Sequence, residues 1–171
     1  MSTPRLSMGF TMVELIAVVV LLSVLGVVAM GRMVSPDMYA PAVVSQALVA
    51  ELRYAQQLAT SRQDAAVSLT VNRSAAQWQL QVVTDVDGVI RSETLDAANT
   101  AITAVSGPAS ATLGPGNALS VSFDHSGDLT AVAIGASPGT VDNGVALTVS
   151  GDTSRDICIY PSGYANQAPC N

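Results

Sequence analysis

The chain has 171 residues, enough for one domain or one domain with an anchoring segment. Seven Arg and no Lys face thirteen acids for a net charge of −6, so the basic footprint that a phosphate-binding protein needs is absent overall. Hydrophobic residues reach 49% while charged residues stay at 12%, which excludes wholesale disorder.

The chain opens with a nine-residue leader, MSTPRLSMG, followed by the apolar run Phe10 to Met30, which Arg32 ends. The run has 21 residues and one charge, Glu14, and as a helix it rises about 30 Å, the thickness of a bilayer core. A single-pass transmembrane helix over 10–31 is therefore expected. Three origins compete for such a segment. It is a plain signal anchor, a secretory signal cut after Val27-Val28-Ala29 to leave Met30 first, or a leader cut ahead of the apolar run. Glu14 separates them, because a carboxylate inside an apolar run costs about 2.5–3.5 kcal/mol on insertion scales and marks a function. Cleavage between Gly9 and Phe10 makes Glu14 the fifth mature residue. The new Phe10 amine of one subunit can then pair with Glu14 of a neighbour, which lowers the burial cost of both charges and sets an axial register.

The segment GFTMVEL resembles the prepilin peptidase motif of type IV pilins and type II secretion pseudopilins. Gly9, Phe10, Thr11, Val13, Glu14 and Leu15 match the pattern, and Met12 stands where Leu is usual. The resemblance implies leader cleavage after Gly9 and N-methylation of Phe10 by the prepilin peptidase. It also implies a single-pass placement in a bacterial inner membrane with the C-terminal domain in the periplasm, partnership with other pilins or pseudopilins and with assembly platform proteins, and eventual residence in a pilus or pseudopilus.

Beyond Arg32, Pro36 and Pro41 predict a kink or unwound stretch between Gly31 and Pro41. A helical pattern resumes at Ala42 and ends near Arg62, so the region 32–62 reads as a kinked, amphipathic continuation of the helix. Val44, Leu48, Leu52, Ala55, Leu58 and Ala59 recur at steps of three and four and form its apolar stripe.

From 63 to the end the period becomes two and the chain reads as a β-rich globular domain. Strands are expected over 65–72 and 77–83, joined by a connection at Arg73 to Ala76, then after the turn at 85–88. The segment 96–118 is rich in Ala, Thr, Gly and Pro and reads as loop with one weak strand near Ala101 to Val105. Further strands are expected at 119–124, 128–135, 144–151 and 155–160. The fold class is α+β and pilin-like: a long N-terminal helix, half transmembrane and half amphipathic, packed on one antiparallel sheet of about six to eight strands.

Cys158 and Cys170 are the two cysteines, too few for a four-Cys zinc site. A short-spaced pair at the end of an exported chain reads as one disulfide. The loop is either a staple for the tail or a recognition loop at a filament tip, with Tyr160, Tyr164 and Asn166 as contact groups. Nucleic acid is not expected there, since Arg155 is the one basic residue nearby. The SFDHSGDLTAVAI segment and the order of elements resemble the GspH/FimT-like minor pilin group. The ending CIYPSGYANQAPC resembles the MshC-like minor pilins of the MSHA pilus.

Little else suggests chemistry. His125 is the one histidine and sits in a predicted hairpin turn, so no Ser-His-Asp enzyme is expected. Asp85 to Gly88 and Asp124 to Asp128 are short acidic turns, candidates for calcium but without the spaced ligands and closing Glu of an EF-hand. No cofactor or resident metal is implied, and Trp78 reads as a core aromatic. The expected role is that of a minor pilin or pseudopilin, a structural subunit. The competing reading is an anchored or secreted β-rich binding or adhesin module outside any filament.

Overall fold

The computed structural model describes residues 11–33, 38–97 and 99–170, with side chains described from 11 to 26 within the first stretch. It divides into two units, Met1–Ser35 and Pro36–Asn171.

The first unit contains helix α1 (Met12–Met33), opened by Thr11. Its described side chains are exposed and apolar on every face, among them Leu15, Val18, Leu21, Leu22 and Leu25. Ser23 satisfies its hydroxyl within the helix by donating to the Val19 carbonyl at 2.7 Å. The expected membrane span requires correction. Among the described residues no helix is long and apolar enough to cross a membrane. The single-pass inner-membrane placement expected from the sequence is overturned by this finding.

The second unit starts with helix α2 (Ala40–Ser61), two residues earlier than the sequence pattern suggests. Pro41 lies in its first turn, where a missing N–H costs nothing because those groups have no intrahelical acceptor. The helix ends at Arg62, which is extended and whose N–H still reaches the Leu58 carbonyl at 3.0 Å. The predicted kink between Gly31 and Pro41 falls largely on 34–37, outside the described residues. The predicted stripe is the buried face: Val44, Leu48, Leu52, Ala55 and Ala59 are enclosed and Leu58 is half-buried.

Among the described residues eleven strands follow, in two antiparallel sheets where the sequence suggested one. The first sheet contains β1 (Val67–Ser74), β2 (Gln77–Thr84), β3 (Gly88–Asp96), β6 (Leu119–Phe123), β7 (Leu129–Ile134) and β8 (Ser137–Pro138) in the order β3-β2-β1-β6-β7-β8. The second contains β4 (Ala101–Ser106), β5 (Ala109–Thr112), β9 (Val145–Ser150), β10 (Ser154–Ile159) and β11 (Ala165–Asn166) in the order β11-β10-β9-β4-β5. The expected connection at Arg73 to Ala76 shrinks to Ala75 and Ala76, because β1 pairs with β2 as far as Ser74 and Gln77.

The second sheet arises where the sequence suggested loop. Ile102, Ala104 and Ser106 alternate inward on β4, which lies between β9 and β5. The β4–β5 turn needs Gly107, whose φ of +57° is left-handed. Small residues bury little area each, so their alternation carries a weak hydrophobic signal.

Helix α2 lies against both sheets, touching β1, β2 and β6 of one and β9, β10 and β11 of the other. The core thus joins α2 to Leu69, Trp78, Leu80, Phe123, Leu147 and Ile157, all at or below 1% exposure. One cross-strand row runs Arg91, Val82, Leu69, Val121, Val132, apolar until it meets the edge strand β3. A bulge between Val82 and Val83 interrupts the β2–β3 ladder.

Candidate functional site

The expected processing site, Gly9 and Phe10, lies outside the described residues. Glu14 does not, and its surroundings add a local role. The Glu14 backbone N–H donates to Thr11 Oγ1 at 3.3 Å and to the Thr11 carbonyl at 3.0 Å. Thr11-Met12-Val13-Glu14 therefore forms half of a capping box, and the Glu14 carboxylate sits in the first turn, where the helix dipole favours a negative charge.

Cys158 and Cys170 are joined, with Cα atoms 5.0 Å apart, and enclose residues 159–169. Strand β11 pairs back on β10, setting Asn166 opposite Cys158 and Ala165 opposite Ile159. The Tyr160 N–H donates to the Tyr164 carbonyl and the Gly163 N–H to the Tyr160 carbonyl, each at 2.8 Å. The two tyrosine rings stack with centroids 6.2 Å apart.

Helix α2 holds this loop from the other side. Arg53 donates through Nε and Nη2 to the Ala165 carbonyl at 3.2 and 3.1 Å, and its guanidinium lies 5.7 Å from the Tyr164 ring centroid. Gln56 Nε2 donates to the Ser162 carbonyl at 2.9 Å and to the Gly127 carbonyl at 3.3 Å. Gln167 Nε2 donates to Ser45 Oγ at 3.3 Å. The Leu129 N–H donates to the Pro161 carbonyl at 2.8 Å, tying the loop to β7 as well. Of the three predicted contact residues, Tyr164 is 49% exposed and available. Tyr160 is half-buried, and Asn166 Oδ1 is enclosed without a hydrogen-bond partner among the described residues.

The acidic turns use their oxygens internally. Asp85 Oδ1 accepts the Ala66 N–H at 2.9 Å, and Asp87 pairs with Arg62. Asp124 Oδ1 accepts the N–H groups of Ser126 and Asp128 at 2.8 and 3.0 Å, beside the exposed His125. Among the described residues no group of three or more His, Cys, Asp or Glu is disposed to hold a metal ion. Trp78 is fully enclosed, and its Nε1–H donates to Thr100 Oγ1 at 2.8 Å.

One cluster was missed in the sequence. Glu51, on α2, is 1% exposed and accepts from Arg91 Nε on β3 at 2.8 Å. Arg91 Nη2 also lies 3.8 Å from Glu93 Oε2, and its guanidinium sits 5.2 Å from the Tyr54 ring centroid. The signal was present: Glu51 stands three residues after Leu48 and four before Ala55, inside the apolar stripe.

The family model of type II transport protein GspH matches residues 44–163. The match starts on the buried stripe of α2, takes in ten of the strands and ends inside the disulfide loop at Gly163. No curated protein and no solved structure matches the chain. The chain belongs to the GspH family, a structural family of type II secretion pseudopilins within the type IV pilin-like class.

Proposed function

From membership of the GspH family, we propose that this chain is a minor pseudopilin, a structural subunit that primes or joins assembly of a pseudopilus with other pseudopilins. The observation that carries the reading is the family match across α2 and both sheets. Helix α1 supports it, since a helix apolar on every face needs partners to cover it.

The proposed route has three steps. The prepilin peptidase removes residues 1–9 between Gly9 and Phe10 and methylates the Phe10 amine. Helices of neighbouring subunits then bundle through their apolar faces, as one long N-terminal helical segment per subunit. Glu14 of one subunit pairs with the Phe10 amine of the next and fixes the axial register, while assembly platform proteins drive the insertion. The domain from 63 to 171 supplies lateral contacts, with Tyr164 the aromatic that the stapled loop offers to a neighbour.

Intact-mass and N-terminal analysis of the protein recovered from cells that make it tests the route. The expected mature chain starts at N-methylated Phe10. A chain starting at Met30 would mean a secreted binding module, and an intact leader in cells with active prepilin peptidase would mean a simple anchor. Either result overturns the assembly reading.

A further inference from the structure

Among the described residues, Glu51 is the charged side chain that the core encloses. Its Oε1 accepts from Arg91, while its Oε2 is buried with no hydrogen-bond donor in reach. The second carboxyl of the cluster, Glu93, lies 3.8 Å from the same guanidinium through its Oε2. Two ionised carboxylates cannot bond to each other, because both only accept. One proton on Glu51 turns it into a donor, with the Glu93 carboxylate as its acceptor. That proton also balances the cluster: two carboxyls with one shared proton carry one negative charge, which the Arg91 guanidinium cancels. Without it, the cluster is net negative and the enclosed Glu51 carboxylate keeps one oxygen unpaired, the costly part, because Arg91 and Glu93 still reach water.

Among the described residues, Arg91 is the cation paired with Glu51. β3 presents Arg91 and Glu93, and α2 presents Tyr54, whose ring Arg91 covers. β1 and β2 face the helix with Leu69, Val71, Leu80 and Val82. We propose that Glu51, Arg91 and Glu93 form a proton-operated latch between α2 and the edge strand β3. The latch is closed while the two carboxyls share one proton and loosens when that proton leaves.

The direction of the response follows. Burial first, then the hydrogen bond to Glu93, push the Glu51 carboxyl above the usual carboxylate range, while Arg91 pulls the other way. With β3 released, Glu51 meets water and returns to its ordinary value. Between those two values the closed state binds more protons than the open one, so the latch weakens as pH rises through that window. A single proton limits the effect to about tenfold in the opening constant per pH unit.

Native-state hydrogen exchange of the full chain, corrected for intrinsic amide rates, tests this from pH 4.5 to 7.5. The amides of Arg91 to Leu95 are expected to lose protection severalfold as pH rises, while those of β9 and β10 hold steady. Glu51→Gln, which keeps the shape and a permanent donor, is expected to make the β3 profile flat. Glu93→Gln, on the more exposed partner, is expected to make it shallower and guards against a folding failure in the first variant. A flat profile in the wild-type chain overturns the latch, and so does an unchanged slope in either folded variant.

Discussion

Arg53 and Ala165 stand 112 positions apart in the chain, yet the guanidinium of one grips the carbonyl of the other through two donors. The C-terminal loop is therefore held to helix α2 by side-chain chemistry and to β10 by its disulfide, two independent attachments. Arg53→Ala weakens the first, leaving the bonds of Gln56 and Ser45 in place. Charge-assisted hydrogen bonds contribute about 1.5–3 kcal/mol, and partial exposure favours the low end of that range. A drop of about 1.5 kcal/mol in urea unfolding is expected, with faster exchange of the Tyr160 and Gly163 amides. A loop that stays as protected as in the parent chain would refute the clamp.

Replacing both cysteines, as Cys158→Ser with Cys170→Ser, tests the second attachment. The closed loop spans a sequence separation of 12, for which the chain-entropy estimate is about 2.5–3 kcal/mol. The variant is expected to melt at a lower temperature yet keep its sheets, because Arg53, Gln56 and Gln167 still hold the tail. Calorimetry and far-ultraviolet circular dichroism read the two effects separately.

Gly163 is the position least open to change in the loop. Its φ of +73° is left-handed, and a Cβ there would collide with the Gly127 carbonyl. Gly163→Ala is expected to cost at least about 1–3 kcal/mol from backbone strain alone. The displaced Gly127 carbonyl would also release Gln56, visible as a change in the Gln56 side-chain amide resonances.

Glu14 has an observed place in the helix cap and a proposed register role, and mutation can separate them. The capping hydrogen bond uses its backbone N–H, so Glu14→Ala keeps the cap and removes only the carboxylate. Thr11→Val does the opposite. If Glu14 sets the axial register, Glu14→Ala should still be processed but enter filaments about tenfold or more less efficiently, since an ionic partner is worth about 1.5–3 kcal/mol. Thr11→Val should assemble nearly normally. Normal incorporation of Glu14→Ala would sink the register argument.

How much of this was legible depended on range and residue size. The stripe of α2 and the strands around Leu69, Trp78, Val121 and Leu147 were readable because large apolar residues recur at a fixed period. β5 was not, and β4 looked weak, because Ala104, Ser106 and Ala109 mark their buried sides with small side chains. Without those two strands, the separate second sheet could not be inferred. Glu51 broke the apolar stripe visibly, but its partners lie about forty residues on, and one sequence does not pair them. The cysteine pair was readable from spacing. That Arg53 and Gln56 would grip the loop was not, because long-range contacts leave no local period.

The charges that close the latch face inward on a strand whose outer edge has no neighbour, and the bulge at Val82 and Val83 bends the same ladder. The remaining sheet borders are short: β8 and β11 have two residues each and β5 has four. Such borders are poor templates for another chain's backbone. Crowded copies of this protein can therefore press their flanks together without their sheets fusing into a continuous ribbon, and recognition between them is left to side chains, where it can be reversed.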